Sequence, residues 1–273
     1  MIWNSKDKEV PALKAEIARL QAEVEHFKAY STDLNAKLFA FGPPDYNEDY
    51  LRVYNKQLDF MTDPRFERAY RRGIESGHTI GAGGDIGIRY RIHSLTWAAQ
   101  HAARLPGDFV ECGVNTGIFS LAVMDYLDFD RLGKKFYLFD TFEGVPEEQM
   151  NEYERTHGHK EMHDFYFDCY AVAQRNFAPF ASARMIRGRV PESLAEVEIE
   201  KVAYLSIDMN ILEPELRALE HFWPKLVPGG IIVMDDYAWR QYAYRKSHYD
   251  DFARANGTEI FTLPTGQGLI LKA

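Results

Sequence analysis

From residue 108 to the C-terminus, short apolar runs of strand length alternate with amphipathic stretches of helical length, a pattern that few folds accommodate. Strands are expected near 108–112, 135–140, 184–187, 202–207 and 230–235, and helices near 116–127, 166–178, 213–225 and 244–256. Such a series predicts a parallel sheet. The C-terminal runs Glu259-Ile260-Phe261-Thr262-Leu263 and Gly268-Leu269-Ile270-Leu271 flank Pro264-Thr265-Gly266-Gln267 and read as a strand pair. The expected fold class is therefore α/β: a Rossmann-like, mostly parallel sheet with an antiparallel C-terminal strand, preceded by an N-terminal helical extension.

Ligands of open α/β sheets bind at the carboxyl ends of the strands. Three polar clusters fall there. The first run ends in Glu111-Cys112-Gly113-Val114-Asn115-Thr116-Gly117, a glycine turn that lets backbone approach a ligand, with helix N–H groups following it. Its Gly-x-x-x-Gly spacing is not the Gly-x-Gly-x-x-Gly of dinucleotide enzymes. Glu111 is placed to meet an ammonium or sulphonium, and Asp140, in Phe139-Asp140-Thr141-Phe142-Glu143-Gly144, stands where ribose diols are gripped. The other clusters are Ser206-Ile207-Asp208-Met209-Asn210 and Val233-Met234-Asp235-Asp236-Tyr237. Carboxylates crowded at neighbouring strand ends repel one another unless a cation joins them, which points to a divalent metal; solvated turn residues are the other reading.

Upstream, Val10, Leu13, Ile17, Leu20, Val24 and Phe27 recur at spacings of three and four, a heptad seam that extends through Ser31, Leu34 and Leu38 to Gly42-Pro43-Pro44. Pro11 suits a first helical turn. The helix either associates with itself or folds back on its own domain. Residues 45–105 read as helices, and Gly81-Ala82-Gly83-Gly84-Asp85 as a hinge or lid. The organisation expected is a coiled-coil helix over 1–41, a helical cap over 45–105 and the sheet domain over 106–273.

Composition removes several classes of function. The 273 residues are 46% hydrophobic and 27% charged, ordinary for a globular chain with a buried core. A net charge of -9, with no basic stripe interleaved with aromatics, argues against a nucleic-acid partner. No apolar run approaches the roughly 20 residues of a membrane-spanning helix, and the N-terminus lacks a signal-peptide layout. Cys112 and Cys169 suggest no disulfide framework, which fits a reducing cytoplasm.

The ordered segments ECGVNTG, FDTFEGVP, YLSIDMN, LVPGGIIVMDDY and LPTGQGL, from about Arg89 to the C-terminus, resemble class I S-adenosylmethionine-dependent O-methyltransferases of the macrocin O-methyltransferase (TylF) type. The N-terminal coil lies outside the resemblance. The resemblance implies that Glu111, Gly113, Asn115, Thr116 and Gly117 line the methionine part of S-adenosylmethionine, that Asp140, Thr141 and Phe142 meet ribose and adenine, and that the Gly188 region closes over adenine. It implies Mg²⁺ on Asp208, Asp235 and Asp236. It further implies methyl transfer to a hydroxyl of a sugar-containing or polyhydroxylated small molecule, while the heptad seam points to a homo-oligomer. Many relatives carry Asp-x-Asp where this chain has Asp208-Met209-Asn210, and Asn210 cannot take a proton, so Asp208 and Asn210 are catalytic candidates with the base unassigned. The alternatives are a nicotinamide-dependent oxidoreductase and a non-catalytic cofactor-binding scaffold.

Several other side chains invite roles. His157, His159 and His163 match no strong zinc spacing and read as an acceptor-side lid. His93 and His248 are lesser candidates for substrate or catalytic contact, and His78 reads as an ordinary packing residue. Tyr237, Trp239, Tyr242 and Tyr244 read as core or as a platform for an acceptor ring.

Overall fold

The computed structural model describes residues 6–38, 42–78, 84–157 and 166–273. The chain divides into two compact units, Met1–Gln57 and Leu58–Ala273. In the first, helix α1 (Lys6–Leu38) carries the heptad stripe on its surface: Leu13, Ile17, Leu20, Val24, Phe27 and Leu34 are all exposed. Pro11 lies inside α1 rather than in its first turn.

Behind α1 the helical expectation for residues 45–105 needs correction. Strands β1 (Tyr46–Glu48) and β2 (Leu51–Val53) form an antiparallel hairpin. Its two turn residues, Asp49 and Tyr50, both have left-handed backbone (φ 52° and 57°), the geometry that a tight hairpin requires. Tyr50 is a residue that sequence reasoning does not associate with that conformation.

The second unit opens with helices α2 (Pro64–Ile74) and α3 (Arg89–Ala102). Asp63 starts α2 by accepting from the Arg65 N–H, with Pro64 at the first helical position. The alternating region then follows: β3 (Asp108–Cys112), α4 (Ile118–Leu127), β4 (Phe136–Asp140), α5 (Glu152–Thr156), α6 (Tyr170–Phe177), β5 (Ala183–Arg187), β6 (Val202–Ile207), α7 (Leu212–Phe222), β7 (Leu226–Met234), α8 (Ala243–Ala255), β8 (Phe261–Thr262) and β9 (Gly268–Leu271).

The sheet order is β5-β4-β3-β6-β7-β9-β8, with β3 to β7 parallel and β9 antiparallel to β7, as the alternation predicts. Strand periodicity divides the core. Phe109, Leu138, Tyr204, Ile231 and Val233 pack with α2, α3 and α4 on one face. Val110, Cys112, Phe139, Leu205, Ile207, Ile232 and Met234 pack with α7 and Tyr249 on the other. A sheet covered on both faces must bind ligands at its edge, and the order changes direction between β3 and β6. The carboxyl ends of β3, β4, β6 and β7 therefore frame the crevice. No helix among the described residues is long and apolar enough to cross a membrane.

Candidate active site

The glycine turn closes the end of β3. Gly113 has φ 90°, and a Cβ there would lie 1.9 Å from the Asp208 carbonyl oxygen, so glycine is what lets the β3 and β6 ends touch. Gly117 (φ 101°) is required on the other side, where a Cβ would strike the Phe177 ring at 2.5 Å. Asp140 reaches across from β4 and binds the turn from below. Its Oδ2 accepts from the Val114 and Asn115 N–H groups at 2.6 and 2.7 Å, and its Oδ1 accepts from the Phe142 N–H at 2.6 Å.

The turn amides are satisfied internally. Thr116 N–H donates to Asn115 Oδ1 at 2.7 Å and Gly117 N–H to the Val114 carbonyl at 2.9 Å. The Thr116 hydroxyl is buried against Ser76 Oγ at 3.0 Å, which places it in packing rather than on an open ligand surface. Phe142 is wholly buried beside Tyr170, Thr141 Oγ1 donates to the Gly144 carbonyl, and the Gly188 N–H donates to the Asp140 carbonyl.

Glu111 shares the Phe109 face of β3 and is 1% exposed. Its Oε2 has no hydrogen-bond partner. Burial pushes its carboxyl up to about 8, with Asp140 and Asp235 adding repulsion. A buried acid beside a glycine turn keeps its proton while alone and would give it up to pair with a cation brought against it. Its neighbour Cys112 is a buried thiol raised well above its ordinary value, a packing group rather than a nucleophile.

The acidic residues do stand at adjacent strand ends, but with partners that sequence reasoning missed. Asp235 Oδ2 accepts from Arg91 Nη1 at 2.6 Å and its Oδ1 from Gln267 Nε2 at 3.0 Å. Arg91 comes from α3 and lies over the Trp239 ring at 4.8 Å. Asp236 faces Arg245 Nη2 at 3.4 Å. Arg245, wholly buried on α8, also reaches Glu215 Oε1 at 3.3 Å and covers the Tyr242 ring at 3.9 Å.

Glu215, in the first turn of α7, organises the loop after β6. Its Oε1 accepts from the Met209 and Asn210 N–H groups at 3.0 and 2.8 Å, while Tyr249 donates to its Oε2. Asn210 is thereby held in left-handed backbone (φ 67°), and its amide donates to the Tyr166 hydroxyl at 3.3 Å. Burial, reinforced by Asp235 and Asp236, raises Asp208 well above the usual carboxylate range, and burial also lifts Asp236 to about 7.

A metal reading can be tested on these observations. Asp208, Asp235, Asp236 and Glu215 face two guanidinium groups, so ionised they leave an excess of two negative charges, and all offer the oxygen donors that Mg²⁺ prefers. The oxygen chemistry suits a dication, while the placement does not yet gather it: among the described residues no three His, Cys, Asp or Glu side chains are gathered to hold a metal ion.

Other candidates sort clearly. Tyr237 and Tyr242 are buried, and Tyr237 donates to Asp250 at 2.5 Å; Tyr244 donates to the buried Glu154. His93 stacks on Phe60 at 3.9 Å and His248 is exposed on α8. His78 is half-buried beside Asn115, where desolvation lowers its basicity. The Gly81–Gly83 part of the hinge, and His159 and His163, lie outside the described residues; His157 stacks on Tyr153 at 3.8 Å.

A family model described as macrocin-O-methyltransferase (TylF) matches residues 52–260. The chain is 27% identical over 191 residues to a mycinamicin III 3''-O-methyltransferase of Micromonospora griseorubida, covering 65% of this chain and 73% of that one. It is also 27% identical over 230 residues to an 8-demethyl-8-(2,3-dimethoxy-alpha-L-rhamnosyl)-tetracenomycin-C 4'-O-methyltransferase of Streptomyces olivaceus, covering 77% and 82%. Among solved structures, the O-methyltransferase NovP shares the fold with a TM-score of 0.61 at 18% identity, over 75% of this chain and 88% of that one.

Proposed function

The chain belongs to the macrocin O-methyltransferase (TylF) family of S-adenosylmethionine-dependent O-methyltransferases, and on that premise we propose that it methylates a sugar hydroxyl on a natural product. The observation that carries the site assignment is Glu111: a buried carboxylate with an unpartnered oxygen, at the strand end next to the glycine turn. The methionine ammonium of S-adenosylmethionine is the cation it suits. Gly113, Asn115, Thr116 and Gly117 shape the wall beside it, Thr116 from behind through its bond to Ser76. Asp140, Thr141, Phe142 and Gly188 form the ribose and adenine side, with Asp140 sharing oxygens already engaged by the turn.

The acceptor side is the loop pair after β6 and β7. Asp208, Asp235 and Asp236 would hold Mg²⁺, with Arg91 yielding Asp235; when bound, Mg²⁺ supplies a more acidic and directionally fixed acceptor hydroxyl. Asn210, pinned by Glu215, orients that hydroxyl through its amide. Asp208, at the end of β6 two residues before Asn210, is the group proposed to receive the proton, at the carboxylate oxygen left free of the metal. Alignment of hydroxyl oxygen, methyl carbon and sulphur then supplies much of the acceleration. We also propose a cytoplasmic homo-oligomer, the exposed α1 stripe being the surface that associates. No observation favours the nicotinamide or scaffold alternatives.

Calorimetric titration with S-adenosylhomocysteine tests the cofactor half. Saturable heat is expected from the parent chain, with affinity at least tenfold weaker for Glu111→Gln. Absence of heat at high micromolar concentration would remove the proposal's basis.

A further inference from the structure

The exposed stripe on α1 specifies its partner. Leu13, Leu20, Phe27 and Leu34 alternate with Ile17, Val24 and Ser31 at steps of four and three along a helix unbroken from Lys6 to Leu38. Ile17, Leu20 and Val24 are each about half exposed, and Phe27 is 68% exposed. A helix draws most of its stability from packing an apolar face, so this face requires a cover. The steps assign Ile17, Val24 and Ser31 to coiled-coil position a, and Leu13, Leu20, Phe27 and Leu34 to position d. Within parallel coils, β-branched residues at a, here Ile17 and Val24, with leucine at d, here Leu13, Leu20 and Leu34, favour two strands; Phe27 and Ser31 depart from that pattern.

Charge agrees with that choice. In a parallel pair, Glu23 at position g faces Lys28 at position e of the second copy, and Glu16 faces Gln21, so no like charges meet. An antiparallel pair that stacks Val24 on Leu20 and Ile17 on Phe27 would instead set Lys14 against Lys28 and Glu23 against its own copy. Glu23 and Lys28 now pair within their own helix, with Arg19 and Glu25; these bonds are exposed and can be exchanged at little cost.

We infer that α1 pairs with α1 of a second copy of this chain as a parallel, in-register, two-stranded coiled coil. The inference rests on the self-association proposed above and adds strand number, direction and register to it. Two copies joined this way bring both chains to the same end of the coil.

Sedimentation equilibrium of the full chain should give a mass of at least twice 31.5 kDa. That mass should halve in the double variant Leu20→Asp/Val24→Asp, with near-ultraviolet circular dichroism unchanged. Under mild oxidation Ser31→Cys should form a disulfide between copies, and the native Cys112 and Cys169, both buried, should not. In that antiparallel register residue 31 lies level with Leu13, so two copies of residue 31 would stand about 27 Å apart at about 1.5 Å per residue and could not bond. A monomeric parent chain overturns both the self-association and this pairing. An oligomer whose mass survives the double substitution, or one that forms no Ser31→Cys bridge, overturns the pairing alone.

Discussion

Truncating Glu215 should be among the most damaging single changes in the sheet domain, although this residue touches no proposed ligand. Its carboxylate accepts from two backbone N–H groups, the Tyr249 hydroxyl and the Arg245 guanidinium, and both members of the ion pair are buried. Removing one partner of a buried pair leaves a desolvated charge, which costs about 3–5 kcal/mol. Arg245 would retain Asp236 at 3.4 Å, which argues for the lower half of that range. For a domain of this size each kcal/mol moves the midpoint by about 2–4 °C, so Glu215→Ala should lower Tm by about 6–15 °C in calorimetry at pH 7. Glu215→Gln keeps the shape and one acceptor and should lose about half as much. The double variant Glu215→Ala/Arg245→Met removes both charges and should be more stable than Glu215→Ala alone. A Glu215→Ala loss below about 1 kcal/mol, or a double variant no better than the single one, would refute the account of a buried, charge-paired tether.

Two further outcomes follow from the same electrostatics. Glu111 has a folded-state carboxyl raised to about 8 against an ordinary 4.5, so the folded chain holds the extra proton between those values; stability is therefore full below about pH 4.5 and falls as pH rises to about 8. Glu111→Gln should flatten that slope in urea titrations from pH 5 to 8, and an unchanged slope would assign the pH dependence elsewhere. Arg91→Met leaves Asp235 with Gln267 as its remaining partner, at a cost of about 1–3 kcal/mol. Millimolar Mg²⁺ should then raise the variant's Tm more than the parent's, and equal shifts would count against exchange between Arg91 and a dication at Asp235.

Much of the sheet was legible because buried parallel strands are short apolar runs that stop at polar or glycine residues. Val202–Ile207 and Asp108–Cys112 have the expected limits for that reason. The hairpin at Tyr46–Val53 was not legible: its turn is Asp49-Tyr50, without the glycine or asparagine that signals left-handed backbone. Side-chain pairing was the least accessible layer. Arg91 and Asp235 are 144 residues apart, and no periodicity within α3 marks one arginine as the partner of a distant strand end. Arg245 sits in a stretch of mixed charge that reads as a solvated helix, yet it is wholly buried; the nearby Tyr242, Tyr244 and Tyr249 were its only cue. The positions of Glu111, Asp140, Asp208, Asp235 and Asp236 could be read from strand ends, whereas the groups balancing their charge could not.

The Asp140 clamp has a consequence for recognition. Four successive amides, from Val114 to Gly117, are already bonded within the protein, so the lip of the crevice is rigid before any guest arrives. A preformed lip loses little conformational entropy on binding, and these amides have no vacant valence to offer an incoming carboxylate. Discrimination between the charged sulphonium donor and its neutral, demethylated product would then fall to the field inside the cleft, with the backbone acting as a fixed mould.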